Sequence, residues 1–141
     1  MSGFCSSLGE ALEMKKDFRT QNLLSEFALS PKFIEHDGCV FLIDGFSEET
    51  YSRWLNFYRG VAVDKRAVES IMNHRHVSEL FVNEPPEPSR RLVNDVGRLL
   101  EGLWLTKLKV AFPDRDFVVR YFPDEQPSSS EITFCQKQEL P

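Results

Sequence analysis

The chain has 141 residues, of which 41% are hydrophobic and 12% aromatic, and its 17 basic and 22 acidic side chains leave a net charge of −5. This length is that of one ordinary domain, and the apolar content suffices for a core without metal or disulfides. An acidic composition argues against broad binding to nucleic-acid phosphates, which needs a basic surface. The whole range 1–141 is therefore interpreted as a single domain that does not bind nucleic acid.

The three cysteines, Cys5, Cys39 and Cys135, include no C-x-x-C pair. An odd number in this arrangement is typical of reduced cytosolic thiols rather than of a disulfide framework or a zinc site. No apolar run reaches the length of a membrane span, and the N-terminus lacks an apolar secretion signal. The scattered glycines form neither a P-loop nor a dinucleotide-binding pattern. The sequence thus predicts a cytoplasmic protein without membrane association or cofactor.

The first two predicted elements are a helical segment and a hairpin. Residues up to about 30 are helix-permissive, with apolar side chains at helical spacing before Pro31. Asp37 and Gly38 then separate two β-rich runs, and both residue types tolerate the positive φ angles of a type I′ turn. A two-residue turn pairs His36 with Cys39 and places both side chains on one face of the hairpin.

Three amphipathic helices and a second hairpin are predicted further along the chain. The helices run from Ser47 to Arg59, from Asp64 to about Asn73, and from about Ser89 to Ala111. The last one presents a broad apolar stripe: Leu92, Val93, Val96, Leu99, Leu100, Leu103, Trp104, Leu108 and Ala111. Two alternating runs, 116–122 and 131–137, predict the second hairpin. The fold class is therefore α+β: an antiparallel sheet of about four strands (two hairpins) with amphipathic helices packed on one face.

His36 and Cys39 are candidate catalytic residues. As direct cross-strand neighbours they would have Cβ atoms about 5 Å apart, within reach of a hydrogen bond between thiol and imidazole. Nucleophilic catalysis also needs a lowered thiol pKa and a group that orients the imidazole. No such group is identified, because Glu35 points to the other face and Asp37 belongs to the turn. We favour the alternative, a half-buried hairpin in which Cys39 acts as a small hydrophobic residue and His36 caps the end of the strand.

His74 and His76 are two positions apart. On a helix such side chains point about 200° apart and cannot share a metal ion, whereas on a strand or in a loop they can. Their surroundings are interpreted as helical or helix-terminal, and no H-E-x-x-H motif or nearby cysteine accompanies them. No metal site is predicted, and both histidines are expected to bond carbonyl groups at a helix C-terminus.

Arg90 and Arg91 are candidate anion-binding residues. Cations in the first turn oppose the helix dipole, and an anion bound at the free N–H groups would remove this conflict. The alternative, which we favour, is that both arginines are simply exposed and are partly offset by Asp95 one turn further on.

The helix from Ser47 to Arg59 is the candidate protein interface. Its candidate interface residues are Tyr51, Arg53, Trp54, Phe57 and Arg59, with Tyr58 as a further aromatic residue. A buried stripe can take Tyr51, Trp54 and Tyr58 but turns Phe57 toward its edge. Exposed aromatic and arginine side chains are favoured anchors of protein interfaces. The alternative, which we favour, is that these aromatic side chains pack in the core.

Two functional hypotheses follow from these patterns. The first is a small acidic protein-binding or adaptor domain without catalytic activity, which binds a protein partner or a second copy of itself. The alternative is a thiol-dependent or anion-binding enzyme that uses the pair Cys39 and His36, with Arg90 and Arg91 on an anionic substrate. The absence of paired catalytic carboxylates and of a cofactor loop favours the first.

Overall fold

A computed structural model of the protein describes residues 28–59, 65–81, 88–138 and 140. Three α-helices lie in these ranges: α1 (Glu48–Arg59), α2 (Lys65–Asn73) and α3 (Arg90–Ala111). The strands there are β1 (Phe33–His36), β2 (Cys39–Leu42), β3 (Arg75–His76), β4 (Phe117–Phe122) and β5 (Glu131–Gln136). Short 3-10 turns lie at Ile43–Gly45, Val77–Phe81 and Pro127–Ser129. The predicted N-terminal helical segment lies outside the described residues apart from 28–30.

The strands form two antiparallel sheets, and the predicted α+β fold class is confirmed. β1 pairs with β2, and the second sheet has the order β3-β5-β4. Both predicted hairpins are present, but they lie in separate sheets, and β3 is an additional strand. β3 consists only of Arg75 and His76, which is too short for an alternation of apolar and polar residues to mark it in the sequence.

The predicted register of the first hairpin is also confirmed. His36 lies opposite Cys39, as predicted, and the same register continues to Phe33 opposite Leu42. Asp37 and Gly38 have φ angles of 54° and 83°, positive at both central positions as a type I′ turn requires. The two turn residues therefore determine which side chains share a face of this hairpin.

Serine side chains cap two of the helices at the helix starts predicted from the sequence, Ser47 and Ser89. The Thr50 N–H donates to the Ser47 hydroxyl at 3.0 Å before α1, and the Leu92 N–H donates to the Ser89 hydroxyl at 3.1 Å before α3. Each cap satisfies an N–H group that has no partner within its own helix. Both helices consequently begin where the sequence places them.

Helix α3 packs on the second sheet and forms the main core. Leu100, Trp104 and Leu108 are at most 1% exposed, and the Trp104 ring meets Phe134 of β5 at 6.0 Å between centroids. The predicted apolar stripe wrongly includes two residues, because Leu99 is 37% exposed and Ala111 is also exposed. Leu99 lies about 100° around the helix from Leu100, which takes it off the buried face.

Gly97 allows α3 to approach β4 closely. A Cβ atom at this position would lie 2.3 Å from the Tyr121 ring, well inside van der Waals contact distance. The Tyr121 hydroxyl donates to Asn94 Oδ1 at 2.6 Å, and the Tyr121 N–H donates to Glu101 Oε2 at 2.8 Å. Helix α3 thus contacts both the ring and the backbone of this edge strand.

Helix α2 joins the two sheets through hydrogen bonds made by its side chains. Val40 and Leu42 occupy non-hydrogen-bonded pairs of the hairpin, so their backbone polar groups face away from β1. The Val40 N–H donates to Glu69 Oε2 at 2.7 Å, and the Leu42 N–H donates to Asn73 Oδ1 at 2.9 Å. From β5, the Gln136 N–H donates to Glu69 Oε1 at 2.6 Å. We call this arrangement, with Glu69 and Asn73 between β2 and β5, the seam.

Helix α3 has 22 residues. Neither this helix nor another in the described ranges is apolar over the length that crossing a bilayer requires.

Candidate functional site

The His36–Cys39 pair lies at the tip of the first hairpin. The two residues are cross-strand neighbours, as predicted. Cys39 is completely buried, and burial raises the pKa of its thiol to about 12, with the charge of Glu69 acting in the same direction. Little thiolate therefore forms near neutral pH, whereas a nucleophilic cysteine needs a lowered pKa.

The His36 imidazole lies in an aromatic cluster. Its ring centroid is 5.2 Å from that of Phe46 and 4.9 Å from that of Tyr51. The adjacent carboxylate, Asp37, accepts a hydrogen bond from the Tyr51 hydroxyl at 2.6 Å and pairs with Lys65 at 3.1 Å. These partners hold the pKa of Asp37 below its usual value. Asp37 thus joins the turn to α1 and α2.

Arg90 and Arg91 lie far from this hairpin tip. Both are exposed in the first turn of α3, and a helix of 22 residues is about 33 Å long. It is the other end of α3 that meets the hairpin, because Arg115, just beyond that end, donates to the Gly38 carbonyl at 3.3 Å. The structure therefore does not bring the two arginines together with the thiol and imidazole of the alternative enzyme hypothesis.

Three aromatic side chains cluster along α1. The ring centroids of Trp54 and Phe57 are 5.6 Å apart, those of Trp54 and Tyr58 are 6.2 Å apart, and those of Phe57 and Tyr58 are 5.2 Å apart. Phe57 is 67% exposed, while Trp54 and Tyr58 are half-buried. The position of Phe57 agrees with the helical spacing. We call Trp54, Phe57 and Tyr58 the aromatic surface.

The other predicted interface residues of α1 take different positions. Tyr51 is buried, and burial together with the hydrogen bond to Asp37 raises the pKa of its hydroxyl. Tyr51 therefore stays protonated, anchors α1 to the hairpin and has almost no area to offer a partner. Arg53 and Arg59 are exposed, and Arg53 pairs with Glu49 at 3.3 Å. The exposed part of the predicted interface consists of the aromatic surface and these two arginines.

His74 and His76 come together with Glu131. Helix α2 ends at Asn73 and His76 lies on β3, so the expectation of helix-terminal surroundings is correct for His74 and wrong for His76. As expected at a helix C-terminus, His74 Nδ1 lies 2.8 Å from the Ile71 carbonyl oxygen. His76 is paired with Glu131 across the sheet, with Nε2 3.6 Å from Oε1. One ligand atom from each of the three side chains lies within 4.8 Å of the others. We call these three residues the histidine cluster.

Glu69 and Asn73 are buried polar residues that the sequence analysis did not identify. Both are 0% exposed. Besides the bonds already described, Asn73 Nδ2 donates to the Val40 carbonyl at 2.9 Å, and Gln136 Nε2 donates to Glu69 Oε2 at 2.8 Å. The signal that could have revealed them is two polar residues four positions apart beside the apolar face of a helix. Since these bonds satisfy backbone groups of β2 and β5 that the described strand pairings leave open, we assign the pair to the fold rather than to a binding site.

Comparisons with known proteins identify no relative. No protein-family model matches the chain, and searches of curated proteins and of solved structures find no match either.

Proposed function

We propose that the chain is a protein-interaction domain that binds a partner protein through the aromatic surface of α1. The observation that supports this proposal most directly is the exposure of Phe57, at 67%, within a cluster of three rings. Burying a side chain of this size completely provides about 1.5–3 kcal/mol, of which Phe57, still 67% exposed, gains only a part from its contacts with Trp54 and Tyr58. A partner that covers the ring would gain the rest.

The charges beside the aromatic surface suit a particular kind of partner. Arg53 and Arg59 are exposed on the same helix, and arginine together with aromatic residues is enriched among the side chains that dominate binding energy. A complementary protein surface would offer an apolar pocket for Phe57 with carboxylates around it. A second copy of this chain would have to supply those carboxylates locally, because two chains that each carry a net charge of −5 repel each other overall.

Helix α1 is held in place before any partner binds. Its first turn is capped by Ser47, and on its inner side Tyr51 bonds to Asp37 and packs against Phe41 at 5.6 Å between ring centroids. A rigid surface loses less conformational freedom on association, so more of the contact energy appears as affinity. This preorganisation favours a binding role for the outer side of α1.

Photocrosslinking from position 57 tests the proposal. A photoreactive phenylalanine analogue at Phe57 should form a discrete adduct with a partner protein or a second copy of the chain, and Trp54→Ala should abolish that adduct. The same analogue at Val110, an exposed position on α3, is the matched control. For the captured partner, Phe57→Ala should weaken binding by at least about 1 kcal/mol, while the free energy of unfolding changes by less than about 0.5 kcal/mol.

Two results would contradict this function. One is an adduct pattern at position 57 that equals the pattern at position 110, combined with a monomer at all concentrations in sedimentation. The other is a Phe57→Ala chain that is substantially less stable than Val110→Ala, since Phe57 would then belong to the core.

A further inference from the structure

We propose that the histidine cluster, His74, His76 and Glu131, is a binding site for a divalent transition metal ion such as Zn²⁺. Imidazole nitrogen and carboxylate oxygen are ligands that Zn²⁺ takes in proteins, and three protein ligands leave a fourth position for water. The site is independent of the aromatic surface and does not rest on the function proposed for it.

The β3–β5 pairing positions two of the three ligands. His76 lies directly opposite Glu131 in this ladder, so their side chains share a face, with Cβ atoms about 4.5–5.5 Å apart. The distance from His76 Nε2 to Glu131 Oε1 is 3.6 Å. Ligand atoms around a tetrahedral zinc ion, with bonds of 2.0–2.2 Å, lie roughly 3.3 Å apart. This pair is therefore close to ligating separation.

The third ligand is oriented by the end of α2. The Ile71 carbonyl can only accept a hydrogen bond, so the contact at 2.8 Å from His74 Nδ1 requires Nδ1 to carry the proton. In the neutral ring this leaves the lone pair on Nε2. A carbonyl that accepts from the second ring nitrogen is the usual partner of a metal-binding histidine, because it holds the ring and its tautomer.

His76 lacks a good hydrogen bond at either nitrogen. Its Nδ1 is buried and has no hydrogen-bond partner among the described residues. Its Nε2 is 3.6 Å from the nearest Glu131 oxygen, longer than an ordinary hydrogen bond. A metal ion bound at Nε2 would replace this long contact with a strong one. The ring proton would then lie on Nδ1, which keeps no partner among the described residues.

The histidine cluster is accessible from solvent, and no described hydrogen bond of the neighbouring arginine reaches its side chains. Arg75, between the two histidines, is directed elsewhere, since its guanidinium donates to Asp44 Oδ1 and to the Met72 carbonyl, each at 3.0 Å. The side chains of His76 and Glu131 are 36% and 41% exposed, so an ion and its water can enter. The widest pair of ligand atoms, at most 4.8 Å apart, would have to close by about 1.5 Å to reach tetrahedral spacing, which side-chain rotation can provide.

Calorimetric titration of Zn²⁺ into the full chain tests the site. We expect one saturable equivalent of bound metal, weakened at least about tenfold by His74→Gln, His76→Gln or Glu131→Gln. The chain has three histidines, and the remaining one, His36, provides the matched control, because His36→Gln should bind Zn²⁺ as the parent does. Binding that is absent, that survives these ligand substitutions, or that His36→Gln weakens equally overturns the proposal.

A measurement on the unsubstituted chain tests the site without depending on whether the variants fold. In the ¹⁵N-labelled protein, Zn²⁺ should shift the ring-nitrogen resonances of His74 and His76 and leave those of His36 unchanged. Shifts confined to His36, or no shifts in any histidine, refute the site whatever the stability of the variants.

Discussion

Glu69 is a completely buried carboxyl group whose described hydrogen-bond partners are all N–H donors, the Val40 and Gln136 backbone amides and the Gln136 side-chain amide. These donors favour the ionised form, but removal of the charge from water disfavours it. Burial is the larger effect, so the pKa of Glu69 lies above its ordinary value. The folded chain therefore binds a proton at Glu69 more readily than the unfolded chain does.

This raised pKa predicts how stability depends on pH. The stability that Glu69 contributes is complete below its unfolded pKa, near 4.5, and declines as the pH rises through the higher folded value. Relative to Glu69→Gln, the parent should therefore lose unfolding free energy as the pH rises, by at most about 1.4 kcal/mol per pH unit. Urea unfolding of both proteins from mildly acid to neutral pH measures this difference. A difference that stays constant, or that grows in favour of the parent, contradicts the prediction, and exposed Glu125→Gln serves as the control.

The elements that the sequence predicted are those with local signals. Asp37 and Gly38 are adjacent, and their two φ angles are enough to determine the hairpin register. Ser47 and Ser89 mark helix starts within one turn of the residues that they cap. The edge position of Phe57 likewise followed from helical spacing alone, and its exposure agrees with that spacing.

The bonding partners within the seam and the histidine cluster could not be predicted, because they are distant from each other in the sequence. Glu69 is 29 positions from Val40 and 67 positions from Gln136. His76 meets Glu131 only because β3 pairs with β5. No periodicity within a window of neighbouring residues carries information of this kind.

Two glycines on α3 predict opposite effects of the same substitution. Gly97→Ala should destabilise the chain by about 1–3 kcal/mol, because its Cβ would collide with the Tyr121 ring and force a shift. Gly102→Ala should stabilise it by up to about 1 kcal/mol, because that position has open space and alanine is the better helix former. Denaturant unfolding of both variants measures the contrast, and equal effects would show that α3 does not approach β4 closely.

Over the whole molecule, strand β2 lies between two buried clusters. Its Val40 and Leu42 belong to the cluster that also contains Trp104, whereas its Cys39 belongs, with Tyr51, to the cluster formed with α1 and α2. Because Glu69 bonds to both β2 and β5, loss of one cluster should weaken the other. Exposure of Cys39 should therefore require unfolding of the molecule.

Alkylation of Cys39 tests this coupling and the enzyme hypothesis together. Iodoacetamide should label Cys39 in the native chain only as fast as the chain unfolds, with labelling mapped to each cysteine by mass spectrometry. Leu100→Ala should lower the free energy of unfolding by about 2–5 kcal/mol. It should also accelerate the labelling of Cys39, although Leu100 belongs to the cluster that does not contain Cys39. Leu99→Ala, at a more exposed position of the same helix, should accelerate it much less. Rapid labelling of the native parent would instead support a reactive thiol.

The seam also has a consequence for folding during synthesis, because its residues are translated at different times. Ribosomes make β2 and α2 early, but Gln136, which supplies two of the three N–H groups that Glu69 accepts, follows 67 positions after Glu69. Until translation reaches the end of β5, the nascent hairpin and its two helices have no second sheet to join. In a chain that stops short of Gln136, Glu69 would lose two of its three described N–H partners, and its hydrogen bond to the edge of β2 would be weaker. An unprotected strand edge is a site where chains aggregate. β5, which comes last along the chain among the described strands, is thus the strand that closes this structure.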